Sequence, residues 1–331
     1  MYIVSTYPIA VLLCLVTMLC WGSWANTQKL AEKSWRFELY YWDYVAGIVL
    51  MSLLFAFTLG SIGEQGRSFI PDLSQADPGK LFNAFLGGVV FNAANILIVA
   101  AIAVAGMSVA FPVGIGIALV FGVLINYLAS PQGDAVWLFT GVALITIAII
   151  LDALAYKKKA AQGEKVPAKG ILLAVSGGVL MALFYRFVAS SMATNLEVPE
   201  AGYLSPYTAV VIFSVGVLIS NFIFNVILMK HPVEGKPVSF SNYFSGKIKE
   251  HLTGISGGII WCIGMAFSII ASGKAGFAVS YGLGQGATLV AAFWGVFIWK
   301  EFKQVKGTGG LLTSMFLLFI AGIALLIYAG M

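Results

Sequence analysis

Three ionisable side chains stand inside long apolar stretches and are the first candidates for chemistry: Asp43, Asp152 and Arg186. Charged groups are costly inside a membrane, so those that occur there are commonly functional. A carboxylate partly removed from water can bind and release a proton, and we predict Asp43 as the proton-coupling residue. Asp152 is the second candidate, with a cap or ion pair at the interface as its alternative role. Arg186 could hold a substrate carbonyl or hydroxyl, or pair with a carboxylate; the alternative is a structural charge between helices.

Amide side chains form the second group of candidates. Asn92 and Asn95 are three residues apart and so share one face of a helix. An amide offers both a hydrogen-bond donor and an acceptor, which suits a ureide, a nucleobase or a sugar. Hydrogen bonds that hold helices together are the alternative. Gln285, between Gly284 and Gly286, is also predicted to contact the substrate.

Aromatic and small polar side chains could complete a binding cavity, since an aromatic face can stack on a planar ring or a sugar. The residues that we predict to line the cavity with the amides are Trp21, Ser23, Trp24, Asn26, Ser108, Tyr185, Trp261 and Tyr281. Trp35, Trp42 and Trp299 lie near the predicted ends of apolar segments and are expected in the interfacial belt instead.

The sequence contains no arrangement typical of an enzyme or a metal site. Cys14, Cys20 and Cys262 lie inside apolar runs, without disulfide or metal spacing. His231 and His251 lie in or beside a loop, without partners at ligand spacing. A Ser/His/Asp set, an HExxH motif and a CxxC motif are all missing. We therefore expect neither enzymatic activity nor a bound metal or cofactor.

The composition places most of the chain in a lipid bilayer. Of its 331 residues, 60% are hydrophobic and 10% are charged, whereas soluble proteins have roughly 25% charged residues. Ten apolar segments without period-two alternation are each long enough to cross the hydrocarbon core as a helix. The predicted fold class is an all-α integral membrane protein with ten transmembrane helices, at 7–28, 41–62, 81–104, 107–129, 135–156, 169–192, 204–229, 252–272, 276–299 and 309–330.

The distribution of basic residues predicts the orientation. Loops after the odd-numbered segments contain 15 of the 19 lysine and arginine residues, and basic loops face the cytoplasm. Both termini are then outside, and we expect a multi-pass protein of the plasma (inner) membrane. The net charge of +5 arises from these loops and does not indicate a nucleic-acid partner. The lysine-rich stretch that begins at residue 157 could also bind anionic lipid.

A stretch that occurs twice indicates two related halves. Residues 87–128 and 257–298 align without a gap, with ten of 42 positions identical and most of these glycine or alanine. Five segments precede the basic linker 157–168 and five follow it, so the second half enters the membrane from the opposite face. We therefore predict two inverted five-helix repeats, residues 1–156 and 169–331, which permit alternating access at a midplane site. Gln285 occupies the position of Ile115, and this asymmetry favours substrate contact.

The beginning of the chain resembles a known family. Trp21-Gly22-Ser23 in the first segment, followed by Tyr41-Trp42-Asp43-Tyr44, is similar to the start of the ureide permease family, which has an LDY-type sequence in its second helix. The Gly87-Gly88 helix and the turn Gly106-Met107-Ser108-Val109 are similar to it as well. The family belongs to the drug/metabolite transporter superfamily, with glucose/ribose porters and rhamnose–proton symporters as neighbours. This chain lacks the long central cytoplasmic domain of plant ureide permeases.

The resemblance implies secondary active uptake of a small neutral polar solute, driven by protons. The substrates it implies are ureides and nucleobases, such as allantoin and uracil, or monosaccharides for the neighbouring families. A monosaccharide transporter and an exporter of drugs or metabolites stay as alternatives. The expected partners are the substrate, a coupling proton and the bilayer. A homodimer is a further option, since glycine-rich faces suit contacts within one chain or between two.

Overall fold

The computed structural model describes residues 1–31, 35–106, 110–159, 167–233 and 235–331. Ten helices are long and apolar enough to span a bilayer, as predicted, and the described residues form no β-strand. We label these helices α1 to α10: Tyr7–Leu30, Phe37–Phe57, Pro78–Ala105, Pro112–Ala129, Ala135–Lys159, Ala168–Ser191, Pro206–Lys230, Ile248–Ala275, Phe277–Ile298 and Gly309–Ala329.

Two helices begin earlier than hydropathy predicts. α2 begins at Phe37 rather than at residue 41, and Glu38 in its first turn pairs with Arg36. α8 begins at Ile248 rather than at residue 252, and Glu250 in its first turn accepts a hydrogen bond from a backbone amide. Acidic residues are favourable at a helix N-terminus because of the helix dipole. Hydropathy excludes such polar first turns from an apolar segment.

Two short helices lie in the loops that the sequence predicts as aqueous connections, Phe69–Gln75 and Phe240–Phe244. The first is tied to the segment before α7 by Arg67. Its guanidinium donates to Asp72 Oδ1 at 3.1 Å and to the Tyr203 carbonyl at 2.9 Å. These contacts join the two connections on the side opposite the basic loops.

Equivalent helix contacts recur in the two halves of the chain. α3 packs against α6 and α7, α8 packs against α1 and α2, and α5 packs against α10. Gly88 on α3 lies against the Phe213 carbonyl, and Gly258 on α8 lies against the Tyr44 carbonyl; at either glycine a Cβ would overlap that oxygen. This recurrence of contacts is what a duplicated sequence predicts. The inverted orientation of the two halves in the membrane stays a prediction.

The turns that follow α3 and α8 share one backbone conformation. Gly106 has φ 75° and ψ 163°, and Gly276, which is 170 residues further on, has φ 79° and ψ 152°. A positive φ is strained for any residue with a Cβ. The repeat is therefore present in the backbone at these two turns as well as in the sequence.

Substitution of Gly258 tests the packing of α8 against α2. Gly258→Ala places a methyl group on the Tyr44 carbonyl, and such overpacking costs about 1–3 kcal/mol. We expect the melting temperature of the detergent-purified protein to fall by several degrees. Gly310→Ala in α10 is the control, because nothing lies within 4 Å of a Cβ there. Equal melting temperatures for the two variants would contradict this packing.

Candidate functional site

A cavity of about 740 Å³ lies among α1, α3, α4, α6, α8 and α9 and reaches the side of the protein that carries most of the basic residues. Two pairs of residues related by the repeat both line it, Phe91 with Trp261 and Ile115 with Gln285. The cavity is therefore shared between the two halves. Repeat-built transporters commonly bind their solute at this junction.

α9 is interrupted beside the cavity. It consists of Phe277–Gln285, a junction at Gly286, Ala287–Phe293 and a π-helical turn, Trp294–Ile298. Interrupted helices and π-turns often mark functional sites in membrane proteins. Gln285 ends the first segment, lines the cavity and is 7% exposed. Its carboxamide forms no hydrogen bond with the described residues, so its donor and acceptor are available to a ligand.

Aromatic rings form one surface of the cavity. The rings of Trp21 and Trp261 are stacked, with centroids 5.9 Å apart and planes 14° apart. Phe91 lies against Trp261 at 4.3 Å. Gly264 allows the Trp21 indole to lie on α8, because a Cβ there would be 2.7 Å from the ring. These rings give a flat apolar surface on which a planar solute can stack.

The two asparagines of α3 have different positions. Asn95 lines the cavity and donates to Tyr41 Oη at 3.0 Å. Asn92 is fully buried behind it, where it accepts from the same Tyr41 hydroxyl at 2.8 Å and donates to Ser220 Oγ at 2.8 Å. The buried amide thus orients the tyrosine, and the tyrosine orients the amide at the cavity surface.

The basic end of the cavity is bordered by charged side chains. Glu301 pairs with Lys29 at 3.3 Å and with Lys159 at 2.8 Å, and so joins the ends of α1 and α5 to the segment after α9. Burial alone would raise the pKa of Glu301, but the hydrogen bond and charge of Lys159, together with Lys29, hold it below its usual value. Glu301 therefore stays ionised at neutral pH, and the ion pairs weaken only when the pH falls through this lowered pKa.

Ser23 and Asn26 position the wall of the cavity that α9 provides. Trp294 Nε1 donates to Ser23 Oγ at 2.9 Å, and Trp299 Nε1 donates to Asn26 Oδ1 at 2.7 Å. Asn26 lines the cavity, whereas Ser23 lies just outside it. Their hydrogen-bonding atoms are used to hold the indoles, which limits what they can offer a solute.

Tyr185 and Tyr281 do not line the cavity but close the side opposite to its mouth. Tyr185 Oη lies 3.0 Å from Ser268 Oγ and 3.1 Å from Ser280 Oγ. Tyr281 Oη donates to the Ala118 carbonyl at 3.1 Å. All four polar side chains are fully buried. Four helices are therefore joined across the level where a path to the other side would run.

Arg186 also lies away from the cavity. It is on α6, five residues before the helix ends at Ser191, and it is half-buried. Its guanidinium has no hydrogen-bond or ion-pair partner among the described residues. Ser108, another predicted lining residue, and most of the linker between the halves lie outside the described residues.

Neither candidate carboxylate lines the cavity. Asp43 accepts a hydrogen bond from Tyr243 Oη at 2.7 Å and lies 2.9 Å from His251 Nδ1. Asp152 is on α5, one turn before Tyr156, which does line the cavity. The Oδ1 atom of Asp152 is buried without a hydrogen-bond partner among the described residues.

Sequence reasoning missed several residues that the fold brings to the site. Trp35 and Trp299, which the sequence assigns to the interfacial belt, line the mouth of the cavity. Thr288 and Phe91 line it further in. The partnership of His251 with Asp43 spans 208 positions and leaves no local signal. The repeat could have indicated Phe91, since it is the counterpart of Trp261 in the first half.

Thiol labelling tests the direction in which the cavity opens. Ala291 lines the cavity, whereas Ala278, on the same helix, is 2% exposed and lies at the end that Tyr185 and Tyr281 close. In a protein without its three native cysteines, we expect Ala291→Cys to react with a membrane-impermeant reagent added to the basic side, and Ala278→Cys to be protected. Labelling of Ala278→Cys alone would contradict the cavity described.

A solved crystal structure shares this fold. It matches with a TM-score of 0.62 and 14% sequence identity, and the match covers 96% of this chain and 97% of that one. The ten-helix arrangement is therefore one already known from experiment.

Comparison with known sequences identifies the family. Ureide permease 1 of Arabidopsis thaliana is 26% identical over 392 residues, and the alignment covers 98% of each chain. Ureide permease 4 of the same plant is 25% identical over 399 residues with the same coverage. Probable ureide permease A3 of Vigna unguiculata is 22% identical over 352 residues and covers 86% of this chain and 93% of its own. The first two alignments are longer than this chain, so those relatives contain segments that it lacks.

The ureide permease family model matches residues 40–169 and 164–329. The match includes Asp43, both copies of the repeated stretch and the whole interrupted helix α9. The resemblance seen in the first two helices is thereby confirmed, and the chain belongs to the ureide permease family of membrane transporters.

Proposed function

We propose that this transporter carries a small neutral polar solute of the ureide or nucleobase class by secondary active transport. The observation that carries the proposal is the cavity between the two halves, in which the free carboxamide of Gln285 lies near an aromatic surface. The names of the relatives, which are ureide permeases, support the same solute class.

The chemistry of the lining residues suits such a solute. A ureide presents N–H donors and carbonyl acceptors in one plane. The side-chain amides of Gln285 and Asn95 can form hydrogen bonds with both kinds of group. The rings of Trp21 and Trp261 can stack on the face of the same plane. The cavity volume of about 740 Å³ lies within the range of roughly 300–1,000 Å³ that is common for small-molecule sites.

The distribution of charge supports an orientation for the site. We propose that the basic side is cytoplasmic, by the positive-inside rule, that the membrane is the plasma (inner) membrane and that both termini are outside. The cavity is then open to the cytoplasm and closed toward the outside by Tyr185 and Tyr281. Contact of Arg186 with the solute would then belong to the outward-open conformation, since this residue lies toward the outer end of α6.

We propose protons as the coupling ion, with Asp43 or Asp152 involved. A coupling ion drives transport only if it binds the two conformations with different affinity. Uptake is the expected direction, and export is the alternative. A homodimer stays a prediction; the glycines Gly88 and Gly258 already pack within the chain.

A solute screen tests the proposed class. Ligand that binds only the folded state raises the melting temperature, so the purified protein is heated with allantoin, uracil, xanthine, ribose, glucose or rhamnose. Hits are then tested for uptake into proteoliposomes with an imposed pH gradient, with and without a protonophore. Stabilisation by allantoin or uracil supports the proposal. Stabilisation by sugars alone would favour the monosaccharide alternative, for which the aromatic surface is also suited.

Replacement of Gln285 tests its contact with the solute. Gln285→Leu removes a donor and an acceptor from the cavity, and a lost hydrogen bond to a solute costs about 1–3 kcal/mol. We expect affinity for allantoin, measured by calorimetry, to fall at least about fivefold, since 1.4 kcal/mol corresponds to about tenfold. Gln304→Leu is the matched control, because this glutamine is exposed on the basic side outside the cavity. Unchanged affinity in Gln285→Leu would remove Gln285 from the site.

A further inference from the structure

Asp43 lies at the centre of a polar cluster that joins three elements. Tyr243, on the short helix Phe240–Phe244, donates to its Oδ1 at 2.7 Å. His251, on α8, places Nδ1 3.0 Å from Oδ1 and 2.9 Å from Oδ2. Asp43 is 3% exposed, while the His251 side chain is 20% exposed. The carboxylate is therefore shielded, and the imidazole reaches the basic side.

We propose that His251, paired with Asp43, binds and releases the proton that drives transport, and that Trp35 links this pair to the mouth of the cavity. The inference rests on the proposed transport function and names the residues of its coupling step. It adds a histidine to the carboxylate that the sequence indicates.

The hydrogen bonds define which nitrogen exchanges the proton. A carboxylate only accepts, so Nδ1 of His251 carries a hydrogen in both charge states. Nε2 therefore takes a proton from water, which gives an imidazolium beside the Asp43 carboxylate. On release, the proton returns from Nε2 to water, and the neutral imidazole keeps its bond to Asp43. Imidazole is the side chain that ordinarily changes charge near physiological pH.

The charged groups near His251 at the helix ends have other partners. Arg36 and Glu38 pair with each other at the start of α2. Glu250, which precedes His251 on α8, accepts from the backbone amide of Lys247 at 2.7 Å. These groups hold the ends of α2 and α8, and they leave the Asp43 carboxylate as the ionic partner of the imidazole.

The tyrosines beside Asp43 keep their protons. Burial, the hydrogen bond to Asp43 and the charge of Asp43 raise the pKa of Tyr243, so its hydroxyl remains a donor at physiological pH. Tyr40, one turn before Asp43 on α2, is hydrogen-bonded to Thr27 Oγ1 at 2.7 Å. The exchange of a proton in this cluster is therefore left to the histidine, with the Asp43 carboxylate as its ionic partner.

Trp35 connects the pair to the cavity. Its ring lies edge-on to His251 with centroids 5.1 Å apart, and 6.2 Å from the ring of Tyr243. The same side chain lines the mouth of the cavity, as does Lys29. A movement that closes the mouth changes the contact of Trp35 with the imidazole. Different proton affinity in the two conformations, which coupling requires, follows from such a change.

Asp152 is the competing assignment. Its Oδ1 is buried without a donor, and it lies one turn from the cavity-lining Tyr156. It has a route to the cavity, and its ionisable neighbours are Tyr156 and Glu301. Glu301 is already paired with Lys29 and Lys159. The Asp43–His251 pair has both a hydrogen-bond donor within the pair and an imidazole side chain that is 20% exposed, so the geometry favours this pair.

Coupled and uncoupled transport distinguish a proton site from a structural one. Proteoliposomes that contain the full chain are assayed with radiolabelled allantoin in two ways, accumulation under an imposed pH gradient and counterflow without a gradient. We expect His251→Gln and Asp43→Asn to lose accumulation at least tenfold while counterflow stays within about twofold. His231→Gln is the matched control, since this histidine is an exposed residue at the end of α7.

Three outcomes would overturn the proposal. The first is accumulation at the wild-type level in His251→Gln. The second is loss of accumulation in Asp152→Asn while His251→Gln still accumulates the solute. The third is an equal loss of accumulation and counterflow in His251→Gln while Tyr243→Phe is unaffected in both assays. If the unmodified chain shows neither binding nor counterflow of allantoin or uracil, the proposed function fails instead, and this result is distinct.

A measurement on a chain that retains His251 covers the case in which its replacement prevents folding. The chain has two histidines, so His231→Gln protein with ¹⁵N-labelled histidine contains one imidazole, whose Nε2 signal can be followed. We expect this signal to titrate and its midpoint to move by at least half a pH unit when allantoin is added. A midpoint that does not move when allantoin binds would contradict the coupling.

Discussion

The close approach of α8 to α1 and α2 is the interaction on which the site depends. A Cβ at Gly264 would meet the Trp21 indole, one at Gly258 would overlap the Tyr44 carbonyl, and one at Gly254 would meet the Asp43 side chain. Small residues permit such contacts where lipid provides no hydrophobic force between helices. The aromatic surface of the cavity and the proposed proton site are therefore both placed by glycines of one helix.

The cavity is open at one end only, because a cluster of polar groups closes the other end. Tyr185, Ser268 and Ser280 satisfy one another between α6, α8 and α9, and an unsatisfied hydroxyl at that depth would be costly. At the mouth, the ion pairs of Glu301 lie at the membrane boundary, where water screens them. A conformational change that exchanges the open and closed ends has to break hydrogen bonds on one side and form contacts on the other, which is the physical content of alternating access.

The proposed solute site and the proposed proton site are separate but mechanically connected. Gln285 and Asn95 face the cavity, whereas Asp43 is shielded from it, with Trp35 between the pair and the mouth. A bound solute that moves Trp35 at the mouth of the cavity therefore changes the surroundings of His251 without contacting this histidine. Such coupling requires that both ligands bias the same two conformations, and direct contact between them is unnecessary.

The sequence by itself determined the class of the protein, the number of helices, the repeat and the family. These follow from properties that are local or periodic: apolar runs of bilayer length, glycines at a constant offset such as Gly106 and Gly276, and motifs of a few adjacent residues. It also indicated Asn95, Gln285, Trp21 and Trp261, because polar and aromatic groups inside apolar segments are rare enough to be noticed. Only the tertiary structure decided that Asn92 lies behind Asn95 and that Tyr185 lies in the closed end. It alone brought His251 to Asp43 across 208 positions. Helix rotation and long-range pairing depend on the packing of neighbouring helices, and a sequence pattern within one helix does not contain them.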